Sequence, residues 1–402
     1  MYSQVRVCQV TDGASTYPPQ GAETRSWETH RISQGLAEIG CMVEVILLPR
    51  ATGTYAYHTK SLGPLVTRNK YLNKSIFAMR VLGQLGKYVE EKGFDIVHFH
   101  SNVAAAAATV KLRASIPTIV TWGDPFLGGV TPPKNFADVL RLDRPRYFTQ
   151  HMVSLYIASY TLHRMTAVIS VSKTLKERIA SVFGIPSSKV HVIPPEVDLN
   201  RFRPGMNSNI LRRTWRLNST TKVILCPARI TPLKSQIDIV RALPLIKKRI
   251  RDLKLFLVGS ITDVRYKGEL VKKAAALSVS GDVIFTDSVS ADSFPYYYNM
   301  ADVIVLPSLG EGLPSSLIEA MSCGKASVVS DIPPNREVGK AGESKYFRPH
   351  ATDELAEHVL SLLQDQELRD KMGRAGRETA QRYYDGKRIA EMTLKLYRKV
   401  AL

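Results

Sequence analysis

Short apolar runs alternate with longer stretches of helical periodicity from one end of this chain to the other, and that alternation constrains the fold more than any other feature. In the first half the strand candidates are Val5–Val10, Val43–Leu48, Ile96–His100, Thr118–Thr121, Ala167–Val171 and Val190–Ile193. In the second half they are Val223–Ala228, Leu255–Val258, Val283–Phe285, Val303–Leu306 and Ala326–Val329. Between Lys74 and Glu91 the spacing of Phe77, Val81, Leu82, Leu85, Tyr88 and Val89 predicts an amphipathic helix. Strands alternating with helices imply parallel sheets covered on both faces, an α/β architecture.

The alternation is interrupted once. Pro194 to Gly205 is rich in turn formers and lacks periodicity, which makes it the best linker. With 402 residues, 44% of them apolar, the chain can build a core on each side of it. The expected organisation is a doubly wound domain over 1–195, a linker over 196–209, a second doubly wound domain over 210–385, and a terminal helix over 386–402 packing back on the first. Ligands of such sheets bind at the carboxyl ends of the strands, so two of them facing each other would bound a central cleft.

Charge narrows the partners. Fifty-five Lys and Arg against 36 Asp and Glu give a formal charge of +19, which suits phosphorylated substrates, a lipid surface or nucleic acid. No recognisable nucleic-acid motif accompanies the charge. Cys8, Cys41, Cys226 and Cys323 are widely spaced and read as reduced thiols, at least two of them in buried strands. The opening residues run into a strand pattern without a signal-peptide core, and no apolar run is long enough to span a bilayer. The expectation is a cytoplasmic protein whose membrane contact, if any, is peripheral.

Chemistry concentrates at two strand ends of the second half. After Val303–Leu306 the chain reads Glu311-Gly312-Leu313-Pro314-Ser315-Ser316, with Glu319 following at a spacing of about a helical turn. Pro314 suits a first helical turn, leaving the Ser315 and Ser316 amides as free anion-binding donors. Carboxylates accept from paired hydroxyls, so Glu311 and Glu319 could grip two hydroxyl-rich groups flanking a phosphate; they could equally be solvated surface charges. After Val223–Ala228, Arg229 and Lys234 occupy a strand-to-helix turn where two cations can stabilise a departing diphosphate, or merely be solvated. In the first half, Gly21 in the Pro18-Pro19-Gln20-Gly21 loop permits close backbone approach to a ligand.

These pieces, in this order, resemble the family 4 retaining glycosyltransferases of the GT-B fold. The resemblance runs through Pro18-Pro19-x-Gly21, Asp95 to His100, Val168 to Ser172, Val192 to Pro204, Arg229-x4-Lys234, Ala301-Asp302, Pro307-Ser308 and Glu311-x7-Glu319. It implies that Arg229 and Lys234 bind the donor diphosphate, Glu311 the donor sugar and Glu319 the nucleotide ribose. It places the backbone of Gly312, Leu313, Pro314 and Ser315 against phosphate or sugar, the base against Thr286–Val289, and Gly21 opposite the diphosphate. Transfer would retain anomeric configuration by front-face attack, with the leaving phosphate assisting acceptor deprotonation, no protein nucleophile and no required cofactor or metal. The partners would be a nucleotide diphosphate sugar and a glycan or lipid-linked acceptor, with an anionic membrane surface as a further contact.

The chain departs from the family pattern at three places. Trp122-Gly123-Asp124 replaces a histidine near the donor sugar, which nominates Asp124 as the polar substitute. Ala22 replaces a second glycine, and Pro195-Glu196 an Asn-Gly. Two other activities remain open on the sequence: a nucleotide-sugar epimerase of the same architecture, and a non-catalytic basic membrane-binding protein. His98 and His100 share a strand face without a third metal ligand, and Tyr296-Tyr297-Tyr298 reads as helix packing rather than a stacking platform.

Overall fold

The structure is a computed structural model describing residues 4–11, 24–47, 55–63, 70–100, 102–110, 112, 116–123, 145–339 and 342–401. It divides into two compact units: Met1–Glu196 with Gly386–Leu402, and Val197–Asp385.

The first unit holds a seven-stranded sheet of β1 (Arg6–Val10), β2 (Met42–Leu47), β3 (His58–Ser61), β4 (Ile96–Phe99), β5 (Thr118–Trp122), β6 (Ala167–Ser170) and β7 (Val190–Val192). The spatial order is β3-β2-β1-β4-β5-β6-β7, with every pair parallel. The foreseen amphipathic helix runs Lys70–Lys92 and buries Phe77, Val81, Leu85 and Val89 completely or nearly so. The terminal helix Gly386–Ala401 belongs to this unit and packs against Thr24–Glu38, where Gly35 lets the two backbones approach beside Ala390. Tyr397 of that helix is fully buried in the same core as Leu36, Val45 and Ile96.

The second unit holds β8 (Lys222–Pro227), β9 (Leu253–Val258), β10 (Val283–Asp287), β11 (Val303–Leu306), β12 (Ser327–Ser330) and β13 (Ser344–Phe347). All pairs are again parallel, in the order β10-β9-β8-β11-β12-β13. The winding therefore reverses between β8 and β11, and the loops leaving their carboxyl ends diverge to either side of a crevice. The turn-rich stretch after Glu196 contributes Val197 and Phe202 to this core. Arg377 ties it to the helix Ser315–Ser322, donating to the carbonyls of Phe202 at 2.8 Å, Leu199 at 3.1 Å and Ser322 at 2.7 Å.

Two strands escaped the sequence pattern, His58–Ser61 and Ser344–Phe347. Both are edge strands and too polar to read as apolar runs, and His58–Ser61 is half solvated. All four cysteines are free and buried, Cys8 in β1 and Cys226 in β8.

Candidate functional site

The switch point of the second sheet is where the strongest sequence candidates meet. The β8 strand ends at Pro227, and Arg229 follows with its side chain exposed. Its backbone is held from behind, because buried Gln236 donates its amide to the Arg229 carbonyl at 2.8 Å. A short 3-10 turn, Pro232–Lys234, then carries Lys234, and Ser235 takes a left-handed conformation (φ 44°) before the helix Gln236–Lys247 begins. Ser235 is fixed there by its hydroxyl bond to the fully buried Asp238 carboxylate, at 2.8 Å.

The loop leaving β11 is tied to this turn through its backbone. Leu309 donates to the Leu233 carbonyl at 2.8 Å, and two residues later the Glu311 carboxylate meets the Lys234 ammonium at 2.5 Å. Both side chains of the pair are largely buried, at 12% and 15% exposure, so the attraction is screened less than at an open surface. From the other side Ser330 donates its hydroxyl to the Ser308 carbonyl at 2.5 Å, and Asn335 holds Ser330 in turn. Lys234 and Glu311 are thus brought together at the carboxyl edge, with Arg229 on the same strand-to-helix turn as Lys234, and the three carry one net positive charge. Such a set attracts a doubly charged phosphate while offering a carboxylate to hydroxyls.

Gly312 and Pro314 are buried, and Leu313 packs partly on the core. One expectation is corrected here. Pro314 (φ −77°, ψ 86°) precedes the helix instead of occupying its first turn, and Ser315–Ser322 starts one residue later. The Ser315 amide is consequently not free, since the tight turn directs it to the Leu313 carbonyl at 3.0 Å. Glu319 stands one turn into this helix, half-buried, accepting from the Tyr298 hydroxyl at 2.7 Å. Val289 follows the end of β10, where Asp287 is left-handed (φ 59°), and packs partly on the core.

Gly21 and Asp124 lie outside the described residues, so their placement contributes nothing to this geometry. His98 is fully buried, with Nδ1 at 2.6 Å from the Tyr397 hydroxyl and Nε2 at 2.7 Å from Thr121 Oγ1. Burial, and then the neighbouring His100, hold its pKa well below 6.5, as for a neutral core histidine. Among the described residues no group of three His, Cys, Asp or Glu is arranged to hold a metal ion. Tyr298 was legible only as packing; its bond to Glu319 joins residues 21 apart, and no spacing rule announces it. The Leu233–Leu309 link is equally silent in the sequence, being a contact between loops of different strands.

Residues 207–379 match the family described as glycosyl transferases group 1, and residues 27–201 match glycosyltransferase family 4, so the two matches together span most of the chain. The chain is 33% identical over 231 residues to the GDP-mannose-dependent alpha-(1-6)-phosphatidylinositol monomannoside mannosyltransferase of Mycobacterium tuberculosis. That match spans 54% of this chain and only 58% of the relative. It is 27% identical to the UDP-Gal:alpha-D-GlcNAc-diphosphoundecaprenol alpha-1,3-galactosyltransferase of Escherichia coli, over 67% of this chain and 65% of that one. Among solved structures, sucrose-phosphate synthase from Thermosynechococcus elongatus superposes with a TM-score of 0.78 at 18% identity, covering 99% of both chains. Anabaena HepE in complex with UDP-glucose superposes at 0.73 with 16% identity, over 98% of this chain and 99% of that one. At these identities the structural likeness shows the fold.

Proposed function

Because this chain belongs to the family 4 (group 1) glycosyltransferases, we propose that it moves a sugar from a nucleotide diphosphate sugar to a hydroxyl acceptor, with retention of anomeric configuration. The observation that carries the reading is the convergence of Arg229, Lys234 and Glu311 on the switch point, with the two loops tied by the Leu233–Leu309 bond. Arg229 and Lys234 neutralise the diphosphate as it leaves, a role that strengthens with the charge developing in the transition state. Glu311 accepts from hydroxyls of the donor sugar, and Glu319 from the ribose. The leaving phosphate takes the acceptor proton during front-face attack, so the reaction needs no protein nucleophile. The cationic pair supplies the charge compensation, and no metal or other cofactor is required.

The acceptor is a lipid-linked glycan, in keeping with relatives whose names specify a phosphatidylinositol mannoside and a diphosphoundecaprenol. The protein then works in the cytoplasm, peripheral on the inner face of the membrane. No helix among the described residues is long and apolar enough to cross a bilayer. Supporting the surface contact, the helices Lys70–Lys92 and Pro145–Arg164 both pack against Asn102–Ala108 and so share one side of the first unit. They expose Met79 and Tyr156, at 62% and 72%.

A panel of nucleotide sugars headed by GDP-mannose and UDP-galactose tests the reading. Transfer, or slow hydrolysis releasing the nucleoside diphosphate, supports it. Epimerised nucleotide sugar, or no turnover with any donor in the presence of lipid-linked acceptors, rejects it. The anomeric configuration of the product, read by proton NMR coupling, decides retention.

A further inference from the structure

Ser235, the residue directly after Lys234, holds a left-handed backbone conformation (φ 44°, ψ 39°) that a residue with a Cβ rarely takes. It links the 3-10 turn Pro232–Lys234 to the helix Gln236–Lys247, so its backbone sets where the turn carrying Lys234 stands relative to that helix. The helix start is served by other groups: the Ile237 amide donates to the Tyr266 hydroxyl at 3.0 Å. The Ser235 hydroxyl, instead of capping a helix amide, donates to Asp238 Oδ2 at 2.8 Å. Asp238 is fully buried and is held from further along the chain as well. His350, in the turn before the helix Thr352–Gln364, brings Nδ1 to 3.1 Å from Oδ2 and 3.3 Å from Oδ1. Arg241 places Nη1 3.7 Å from Oδ1. A carboxylate so surrounded cannot swing away from Ser235.

We propose that Asp238 is a positioning residue for Lys234: acting through the Ser235 hydroxyl, its carboxylate holds the left-handed link that aims the Lys234 ammonium at a departing diphosphate. This rests on the donor-site reading above. An acidic residue at the third position of a helix ordinarily serves the helix start and can do so from the solvent side. Asp238 is instead withdrawn completely from water, which costs free energy unless its partners offset it. One of those partners adjoins Lys234. The lysine stem is long and flexible and carries a compact point charge, so the placement of its root decides where that charge can stand. With the root fixed in advance, less ordering is left to the transition state.

The test measures kcat and donor KM for transfer, with urea midpoints alongside, in wild type, Asp238→Ala, Ser235→Ala, Ser235→Gly and Lys234→Ala. Two double variants join them, Asp238→Ala with Ser235→Gly and Asp238→Ala with Lys234→Ala. Asp238→Ala should lower kcat about tenfold or more with a smaller change in KM, the scale on which a misplaced group slows a preorganised reaction. Ser235→Ala and Ser235→Gly both lose the hydroxyl, but glycine takes the left-handed conformation without strain. The glycine variant should therefore turn over severalfold faster than the alanine variant, and Ser235→Gly should restore part of the kcat lost in Asp238→Ala. With Lys234 already removed, Asp238→Ala should lower kcat no further. Wild-type kcat in Asp238→Ala, with only the urea midpoint lowered, overturns the inference and marks a purely structural carboxylate. So does equal turnover of the two Ser235 variants, or an additive loss in the Lys234→Ala background. Should Asp238→Ala fail to fold, the Ser235 pair decides, because both of those variants keep the carboxylate. If Lys234→Ala turns over like the wild type, the donor-site reading and this inference fall together; a slow Lys234→Ala beside a normal Asp238→Ala removes this inference alone.

Discussion

The Lys234 ammonium stands 2.5 Å from Glu311 Oε1, so the ion pair joins the loop after β8 to the loop after β11 across the reversal of the sheet. A diphosphate must share Lys234 with that carboxylate. Removing Glu311 releases the cation, so Glu311→Ala should bind free nucleoside diphosphate at least as well as wild type while losing transfer from the sugar nucleotide. Glu319→Ala should do the opposite at the binding step, weakening free nucleoside diphosphate itself. Titration of both variants with diphosphate and sugar nucleotide separates the roles, and parallel losses would show the assignment is wrong.

Arg229→Ala or Lys234→Ala should lower turnover about a hundredfold or more, the cost of roughly 3 kcal/mol when one preorganised donor to a developing charge is deleted. The loss should appear in kcat more than in KM, because the charge grows as the diphosphate departs. Steady-state kinetics with wild-type turnover in either variant would remove these residues from the mechanism.

Binding to anionic vesicles should be measurable by flotation and should weaken with salt as the screening length contracts to about 8 Å. On the first unit, Lys60, Lys87 and Met79 are exposed, and each cation near an anionic leaflet contributes about 1 kcal/mol. Lys87 also pairs with Glu91 at 3.6 Å, which tempers its share. The sequence also carries basic and aromatic residues in and before the helices Lys70–Lys92 and Pro145–Arg164; of these, Arg68, Arg141 and Arg144 lie outside the described residues, as do the side chains of Lys70, Lys74, Arg146, Tyr147, Phe148 and Met152. Indifference to anionic vesicles at low salt would favour a soluble acceptor.

Stability should decline as pH falls below about 6.5. Burial, and then Arg31, lower His30 to about 4, while burial and then His100 hold His98 well below 6.5. Both are neutral in the fold and take up protons readily once unfolded, so acid favours the unfolded chain between those values. The stability tied to them is complete above about 6.5 and is lost as pH drops through the folded-state values. Urea midpoints at pH 7.5 and 5.0 should differ accordingly, and the difference should shrink in His30→Asn. A midpoint independent of pH over this range would mean the histidines are not held neutral.

Gly259, at the carboxyl end of β9, lies directly beneath the arginine turn. A Cβ there would press on the Ala228 carbonyl and stand 3.1 Å from the Arg229 amide nitrogen. Backbone cannot yield as a flexible side chain does, so Gly259→Ala should cost about 1–3 kcal/mol in urea unfolding and reduce transfer by displacing Arg229. Unchanged stability would show that the turn relaxes freely.

Much of this protein was legible along the chain because the governing interactions are local. Eleven strand runs could be read because a strand buried on both faces is apolar along its length, as Val303–Leu306 shows, whereas the edge strands His58–Ser61 and Ser344–Phe347 hold mostly polar residues and carry no such signal. Arg229, Lys234 and Glu311 stood out for the same reason, each following a strand end closely, and Glu319 by its fixed spacing from Glu311. What the sequence could not state is which strand ends are neighbours. The order β9-β8-β11 puts residues 77 apart into an ion pair, and core packing swings Tyr298, in a run of three similar rings, onto Glu319. Both depend on contacts between segments far apart in the chain, whose geometry exists only after the sheet has closed its order and the helices have settled on it.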